Sequence, residues 1–403
     1  MATEEAFELL EHLGSGGFAH TYRARIVDED LASDFGASEV ALKIPLNREK
    51  ERALRHELET NILLWLRLKG VDSTNLVRYL GMAAFRGQLV MAMEYVPGGS
   101  LRKVLGGSGR PKRMTPEQTI AVGIGVASGL HVIHEEQVFH RDIKPENILM
   151  VDDVPKISDL GIARMLMSNE LASTTTGTIY YMSPEILCEE GATFPSDIWS
   201  LGVTLYEMVT GRLPFGTFET PIGRMVDLIR TADPPPAREA CPDVPPALSD
   251  VLARALAKKP ADRFAGAAEM QAALQECLRS GRDEVEAEIR ALRETSSCEN
   301  SGVIEARMNA LIARHPQDPR AYQYLGEFYN LCQSYSEAID TFKRGLKAAG
   351  DNALLHWDLA LAYQKQNKRR AAAAHLEKAI ALGLDPSLRQ YAVNLLRALR
   401  GTI

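Results

Sequence analysis

Apolar and polar residues alternate through the first part of the chain in a way that predicts strands. Tyr22 to Val27 reads as one strand, Val40-Ala41-Leu42 as a short strand ending on the cation Lys43, and Gln88 to Tyr95 as a mostly apolar third. Between them Leu54, Leu58, Ile62, Leu63 and Leu66 recur at roughly helical spacing and predict a helix over 48–68. Near the other end, Leu325, Gly326, Tyr329, Tyr335, Ala338, Phe342 and Leu346 form a pattern. It recurs as Leu359, Ala360, Tyr363, Ala372, Leu376 and Ile380, with Tyr329 and Tyr363 fixing a period of 34 residues. Met308 to Arg314 suits a helix before these units and Leu388 to Leu399 a helix that closes them. In between, residues 279–302 turn polar: acids and bases alternate at helical spacing over 282–295, and Ser296 to Gly302 reads as a break, so the stretch has linker composition.

The chemistry is concentrated in the middle. Residues 140–147 read His-Arg-Asp-Ile-Lys-Pro-Glu-Asn and 159–161 read Asp-Leu-Gly. Transfer of a γ-phosphoryl group asks a protein to orient a hydroxyl and to neutralise spread negative charge, and these residue types suit both tasks. Asp142 can accept the hydroxyl proton, Lys144 can sit beside the γ-phosphate, and Asn147 with Asp159 can offer hard oxygen ligands to Mg²⁺. Upstream, Leu13-Gly14-Ser15-Gly16-Gly17-Phe18-Ala19 would place a turn whose backbone amides approach phosphate oxygens, and Thr21 follows it.

The pieces, in this order, resemble the protein kinase family over about residues 7–278. The resemblance implies that Lys43 holds the α- and β-phosphates of ATP and pairs with a glutamate on the helix over 48–68. Glu59 is assigned that role, with Glu57, on another face, as its competitor. It also makes Glu94 to Gly99 the hinge between two lobes and Met93 the gatekeeper. Backbone groups of Glu94 and Val96 would then bond the adenine edge, while Leu13, Ala41 and Leu149 pack on its faces. The hydroxyl-rich stretch before Gly177 resembles an activation loop. Arg141 could pair with a phosphate added there, which makes Thr174, Thr175 and Thr176 the expected autophosphorylation sites. Lys144 and Thr178 resemble the serine/threonine-specific branch. Asp197 to Gly202 resembles the start of a helix that anchors the catalytic loop, and Arg263 falls where the family pairs an arginine with Glu185.

Four positions depart from the family pattern: Ala19, Thr21, Leu160 and Ser183. None removes a charged group, so they bear on ATP affinity rather than on activity. The competing expectation is a scaffold of the same shape without phosphoryl transfer. Such scaffolds usually lack the lysine, the base or a metal ligand, and here Lys43, Asp142, Asn147 and Asp159 are all present.

Composition adds context. The formal charge of −7 over 403 residues argues against general attraction to nucleic acid or anionic membranes. Arg110-Pro111-Lys112-Arg113 reads as a solvated basic loop, and no apolar run approaches a bilayer span. Five scattered cysteines, odd in number and without close pairs, are expected as reduced thiols in a cytoplasmic protein with no signal peptide.

The 34-residue repeat resembles the tetratricopeptide repeat, whose arrays present a face to a protein or peptide partner; dimerisation or cover of the kinase lobe are its other uses. The expected architecture is therefore α+β. A two-lobed kinase fold covers 1–278, with the N-lobe to about 94, the hinge over 94–99 and the C-lobe over 100–278. A charged linker follows over 279–302, then all-α helical repeats over 303–403. The expected function is a serine/threonine protein kinase that uses ATP with Mg²⁺, or Mn²⁺ in its place, on protein substrates.

Overall fold

The computed structural model describes residues 6–15, 19–47, 74–106, 112–159, 178–295 and 298–401. The expected helix over 48–68 with Glu57 and Glu59, the turn residues Gly16, Gly17 and Phe18, Leu160, and the hydroxyls Thr174, Thr175 and Thr176 lie outside them. The chain divides into two compact units, Met1–Met114 with Gln118–Gln275, and Thr115–Glu117 with Glu276–Ile403.

In the first unit, β1 (Phe7–Ser15), β2 (Ala19–Ile26), β3 (Glu39–Pro45), β4 (Tyr79–Phe85) and β5 (Gln88–Glu94) form an antiparallel sheet in the order β1-β2-β3-β5-β4. Side chains alternate across a strand, so β3 sorts its residues onto two faces. Val40 and Leu42 join Phe7, Ala24, Ile26, Phe85, Val90 and Ala92 in one apolar layer, partly covered by Leu31, Ala32 and Phe35 of a short helix, α1 (Glu29–Phe35). Ala41 faces the other way, packing with Val77, Met91, Met93 and Val96, and Lys43 shares its side of the strand. The sequence pattern gave no sign of α1, although both caps are present: the Asp28 carboxylate accepts from the Leu31 amide, and Gly36 takes a left-handed φ of 61°.

The hinge runs into α2 (Leu101–Val104), which is followed by α3 (Pro116–Glu135) and the hairpin of β6 (Ile148–Val151) and β7 (Val154–Ile157). Gly98 has a packing reason to be glycine: a β-carbon there would lie 2.1 Å from the Met150 carbonyl oxygen. Beyond a short helix, α4 (Pro184–Leu187), comes α5 (Phe194–Thr210), buried from Ser196 to Thr210. It opens with a capping box between Thr193 and Ser196 and ends at Gly211 with φ 70°. Buried on all sides, with Asp197 and Glu207 as well as its apolar residues shielded from solvent, α5 is the core of this part of the unit. Of the helices that follow, α6 (Ile222–Thr231) packs on α4, while α7 (Ala237–Ala240) and α8 (Pro246–Ala255) pack against α5.

Residues 279–302, which had linker composition, are mostly helical. One helix, α9, runs from Ala267 to Thr295, followed by a 3₁₀ turn at Cys298–Asn300. Charge alternation hid an apolar stripe at Val285, Ile289 and Leu292, and these residues pack into the core of the second unit. That unit continues as α10 (Ser301–Arg314), α11 (Pro319–Leu331), α12 (Tyr335–Ala349), α13 (Ala353–Lys365), α14 (Arg369–Leu382) and α15 (Pro386–Arg400). Successive helices pack on one another, and Leu325, Phe342, Leu359 and Leu376 are fully buried between them. Gly326 lets α11 and α12 approach, since a β-carbon there would sit 2.2 Å from the Phe342 ring.

The cysteines correct an expectation. Cys298 and Cys332 are joined in a disulfide, with α-carbons 5.6 Å apart. Cys298 precedes α10 and Cys332 caps α11, so the return of the chain through this helical hairpin brings together two residues 34 apart in sequence. Cys188, Cys241 and Cys277 are outside any disulfide. The argument from reduced thiols to a cytoplasmic location therefore no longer holds. Among the described residues no helix is long and apolar enough to cross a membrane.

Candidate active site

Asp197, near the start of α5 and almost fully buried, organises the catalytic loop from below. Its carboxylate accepts from the backbone amides of His140 and Arg141 at 2.8 and 2.7 Å and contacts the His134 ring at 2.9 Å. These bonds hold Arg141 at a φ of 66°, a conformation that non-glycine residues adopt when the surroundings impose it. His140 is completely buried. Burial pushes its imidazole below the ordinary histidine range, against the opposing pull of Asp197. The neutral ring then fits its partners: Nδ1 accepts from the Asp142 amide at 3.3 Å, and Nε2 donates to the Ser158 carbonyl at 2.9 Å. The imidazole thus links the catalytic loop to the residue that precedes Asp159.

Asp142 sits among cationic and amide donors. The Lys144 ammonium is 3.0 Å from its Oδ2, and the Asn147 side-chain amide donates to both its Oδ2 and its backbone carbonyl, at 2.9 and 2.8 Å. Lys144 also donates to Thr178 Oγ1 at 2.9 Å. One lysine therefore touches both the expected base and the first described residue after the expected activation loop.

Asp159 and Lys43 meet from opposite lobes of the unit. The Lys43 ammonium is 2.7 Å from Asp159 Oδ1, and Asp159 is held at a φ of 54°. Burial alone would raise the Asp159 pKa; the charge and hydrogen bond of Lys43 outweigh it and hold the carboxyl below its usual range. The Asn147 carbonyl accepts from the Ser158 amide at 2.9 Å, which fixes Asn147 beside the Asp159 segment. Because the Asn147 amide nitrogen points to Asp142, its side-chain oxygen is the atom left to a cation, and Asp159 offers Oδ2. Two hard oxygen donors with substrate phosphates and water completing the shell are a donor set that fits Mg²⁺.

The expected adenine site divides. Ala41, Met93 and Val96 share one buried cluster, with Leu149 packed against it. Leu13, on β1, is exposed and lies outside that cluster, as do Gly14, Ser15, Ala19 and Thr21 at the turn and its flanking strands. The Glu94 amide donates to the Arg78 carbonyl at 2.8 Å, so the backbone group that Glu94 could offer to an adenine edge is its carbonyl. Its carboxylate accepts from the Arg78 amide at 3.1 Å and pairs with Lys156 at 2.9 Å. Sequence reasoning missed Lys156, Ser158 and His134. Each acts through a contact far away in sequence, and none lies in a motif that would flag it.

Comparisons with known proteins agree with this geometry. The model of the protein kinase domain matches residues 7–277. The chain is 31% identical over 275 residues to the serine/threonine-protein kinase PrkC of Bacillus subtilis, covering 66% of this chain and 39% of that protein. It is 32% identical over 276 residues to the serine/threonine-protein kinase PknJ of Mycobacterium tuberculosis, covering 67% and 45%. The chain thus spans less than half the length of these relatives. Among solved structures, Rad53 1–466 in complex with AMP-PNP matches with a TM-score of 0.51 and 24% identity, covering 66% of this chain and 64% of that one, a likeness of fold. With the family model matching two thirds of the chain, and Lys43, Asp142, Lys144, Asn147 and Asp159 brought together by the contacts above, the chain belongs to the protein kinase family.

Proposed function

We propose that this chain is a serine/threonine protein kinase that moves the γ-phosphoryl group of ATP onto a protein hydroxyl. The observation that carries this reading is the arrangement around Asp142, where Lys144 and Asn147 both hold its carboxylate while Lys43 reaches Asp159. Asp142 accepts the proton of the substrate hydroxyl. Lys144, which touches Asp142 and Thr178, is placed to balance charge on the γ-phosphate. Lys43 binds the α- and β-phosphates, with Glu59 as the partner that steadies it. Mg²⁺, or Mn²⁺ in its place, supplies charge neutralisation between phosphates when bound, and Asn147 and Asp159 would hold it. The names of the similar proteins, serine/threonine-protein kinases in two bacterial species, support the substrate class.

The activation-loop threonines Thr174, Thr175 and Thr176 are the proposed autophosphorylation sites, with Arg141 as the cation that receives the phosphate. The second unit is proposed to be a tetratricopeptide-like array that recruits a protein or peptide partner. Its support is the regular placement of its helices: α11 and α13 start at 319 and 353, and α12 and α14 at 335 and 369, so each pair repeats at the sequence period.

The test is transfer from γ-labelled ATP with Mg²⁺ by the full chain and by Asp142→Asn, followed by mapping of the labelled residues. Label on Ser or Thr that disappears in Asp142→Asn supports the kinase. ATP binding without transfer by either form would favour the non-catalytic scaffold.

A further inference from the structure

A buried arginine outside every catalytic motif ties the two sides of the site together. Arg102 lies on α2, just after the hinge, and is 8% exposed. Its guanidinium spends its donors on three segments. Nε donates to Glu146 Oε1 at 2.9 Å; Nη1 and Nη2 donate to Glu207 Oε1 and Oε2 at 2.6 and 3.1 Å; Nη2 also bonds the Tyr181 hydroxyl, which itself donates to Glu207 Oε2 at 2.5 Å. The Phe218 ring stacks near the guanidinium, 5.5 Å from centroid to Cζ. Burial and the Glu207 charge push the Tyr181 hydroxyl well above its ordinary pKa, which keeps it a donor.

The segments joined are the ones phosphotransfer must keep in register. Glu146 belongs to the turn Pro145–Asn147 and is the neighbour of Asn147, which holds Asp142. Tyr181 ends the turn Ile179–Tyr181, which starts just after Thr178, the contact of Lys144. Glu207 is completely buried on α5, the helix whose Asp197 holds the catalytic loop. A planar fork can reach all three at once; a lysine, with one compact charge, cannot.

We propose that Arg102 is a positioning residue for phosphotransfer: it fixes the Pro145–Asn147 turn relative to the Thr178–Tyr181 segment, and so the site for the protein hydroxyl relative to Asp142. The inference rests on the kinase reading above. Arg102 acts through Glu146 and Tyr181 and makes no hydrogen bond or ion pair with the described residues assigned to ATP. Its loss should therefore fall on the protein substrate.

The test measures steady-state transfer to a Ser/Thr peptide by the full chain, Arg102→Ala, Arg102→Lys and Glu146→Ala. Glu146→Ala cuts only the link to the turn and leaves the buried Arg102–Glu207–Tyr181 group intact, so it answers the question even where Arg102→Ala fails to fold. Expected are a fall in kcat/KM for peptide of about 10²-fold in the alanine variants, the scale of a misplacement of about 1 Å, and a KM for ATP changed by less than about twofold. Arg102→Lys should stay closer to alanine than to the parent. Guanidinium ion at low millimolar concentration should restore part of the peptide kcat/KM of Arg102→Ala, and ammonium should not. Parent-like peptide kinetics in Glu146→Ala, or an equal loss in ATP and peptide terms without guanidinium rescue, would overturn the inference while leaving the kinase reading in place. No transfer by the parent chain would remove both.

Discussion

Arg263 closes a two-pronged ion pair on Glu185, at 2.7 and 2.8 Å, with both side chains almost completely shielded from solvent. The remaining donors of the guanidinium go to the carbonyls of Ala257, Pro195 and Lys258, and Ser196 Oγ donates to Glu185 Oε1. Nothing in the pair is left without a partner. Its value lies in that completeness, because a buried charge stripped of its counterion is strongly unfavourable.

Arg263→Met should therefore destabilise the first unit by about 3–5 kcal/mol, read by urea denaturation. Adding Glu185→Met should recover most of that loss, since no charge is then buried alone. A single substitution costing under about 1 kcal/mol would show that water or another cation reaches Glu185.

Asp142→Asn should keep the loop folded, because an asparagine in that place can still accept from the Asn147 amide and from Lys144. It removes the group proposed to accept the proton. Turnover should fall by about 10² to 10⁴, with ATP affinity largely retained, since Lys43 and the apolar cluster around Ala41 and Met93 are untouched. Unchanged turnover would assign the base to another residue.

Where the sequence could be read, local chemistry was the reason. The alternation Val40, Ala41, Leu42, Lys43 already set Lys43 on the face opposite Val40 and Leu42, and the motif at 140–147 already held Asp142 near Asn147 and Lys144, which the structure brings to its carboxylate. Arg263 with Glu185 was legible through the family pattern. What escaped depends on contacts between distant segments. Arg102 looks like any arginine on a short helix until Glu146, Glu207 and Tyr181 converge on it. Residues 279–295 looked like a linker because charges outnumber the three apolar residues that bury. Cys298 and Cys332 looked unrelated because a helical hairpin, and no short motif, brings them together.

That disulfide gives a prediction of its own. Alkylation without reductant should leave Cys298 and Cys332 unlabelled and label Cys188, which is exposed. Closing a loop of this length restricts the unfolded chain by about 3–4 kcal/mol in the chain-entropy model, so reductant or Cys332→Ser should lower the stability of the second unit by up to that amount. Reductant should have no further effect on Cys332→Ser. Free thiol at both positions in oxidant-exposed protein would rule the pairing out.

Asp358 on α13 supplies a pH test of the same unit. Its side chain is buried, Oδ2 has no hydrogen-bond partner among the described residues, and burial together with the nearby Glu327 charge pushes its pKa up to about 7 from 3.8. Between those values the folded state binds a proton that the unfolded state has released, so the contribution of this group to stability falls as pH rises through that window. Asp358→Asn removes the carboxylate and keeps an acceptor for Gln323. The variant should be more stable than the parent near pH 8, by up to about 4 kcal/mol, and the gain should shrink by up to about 3 kcal/mol on going to pH 5. His375, lowered to about 4 by burial and by His356, has the opposite slope, and the difference between variant and parent cancels it. The measurement is urea denaturation of both proteins at the two pH values, followed by a probe in the second unit such as Trp357 fluorescence. An equal gain at both would mean that Asp358 titrates as an ordinary solvated carboxylate and that its burial is relieved by water or by a shift of α13 against α11.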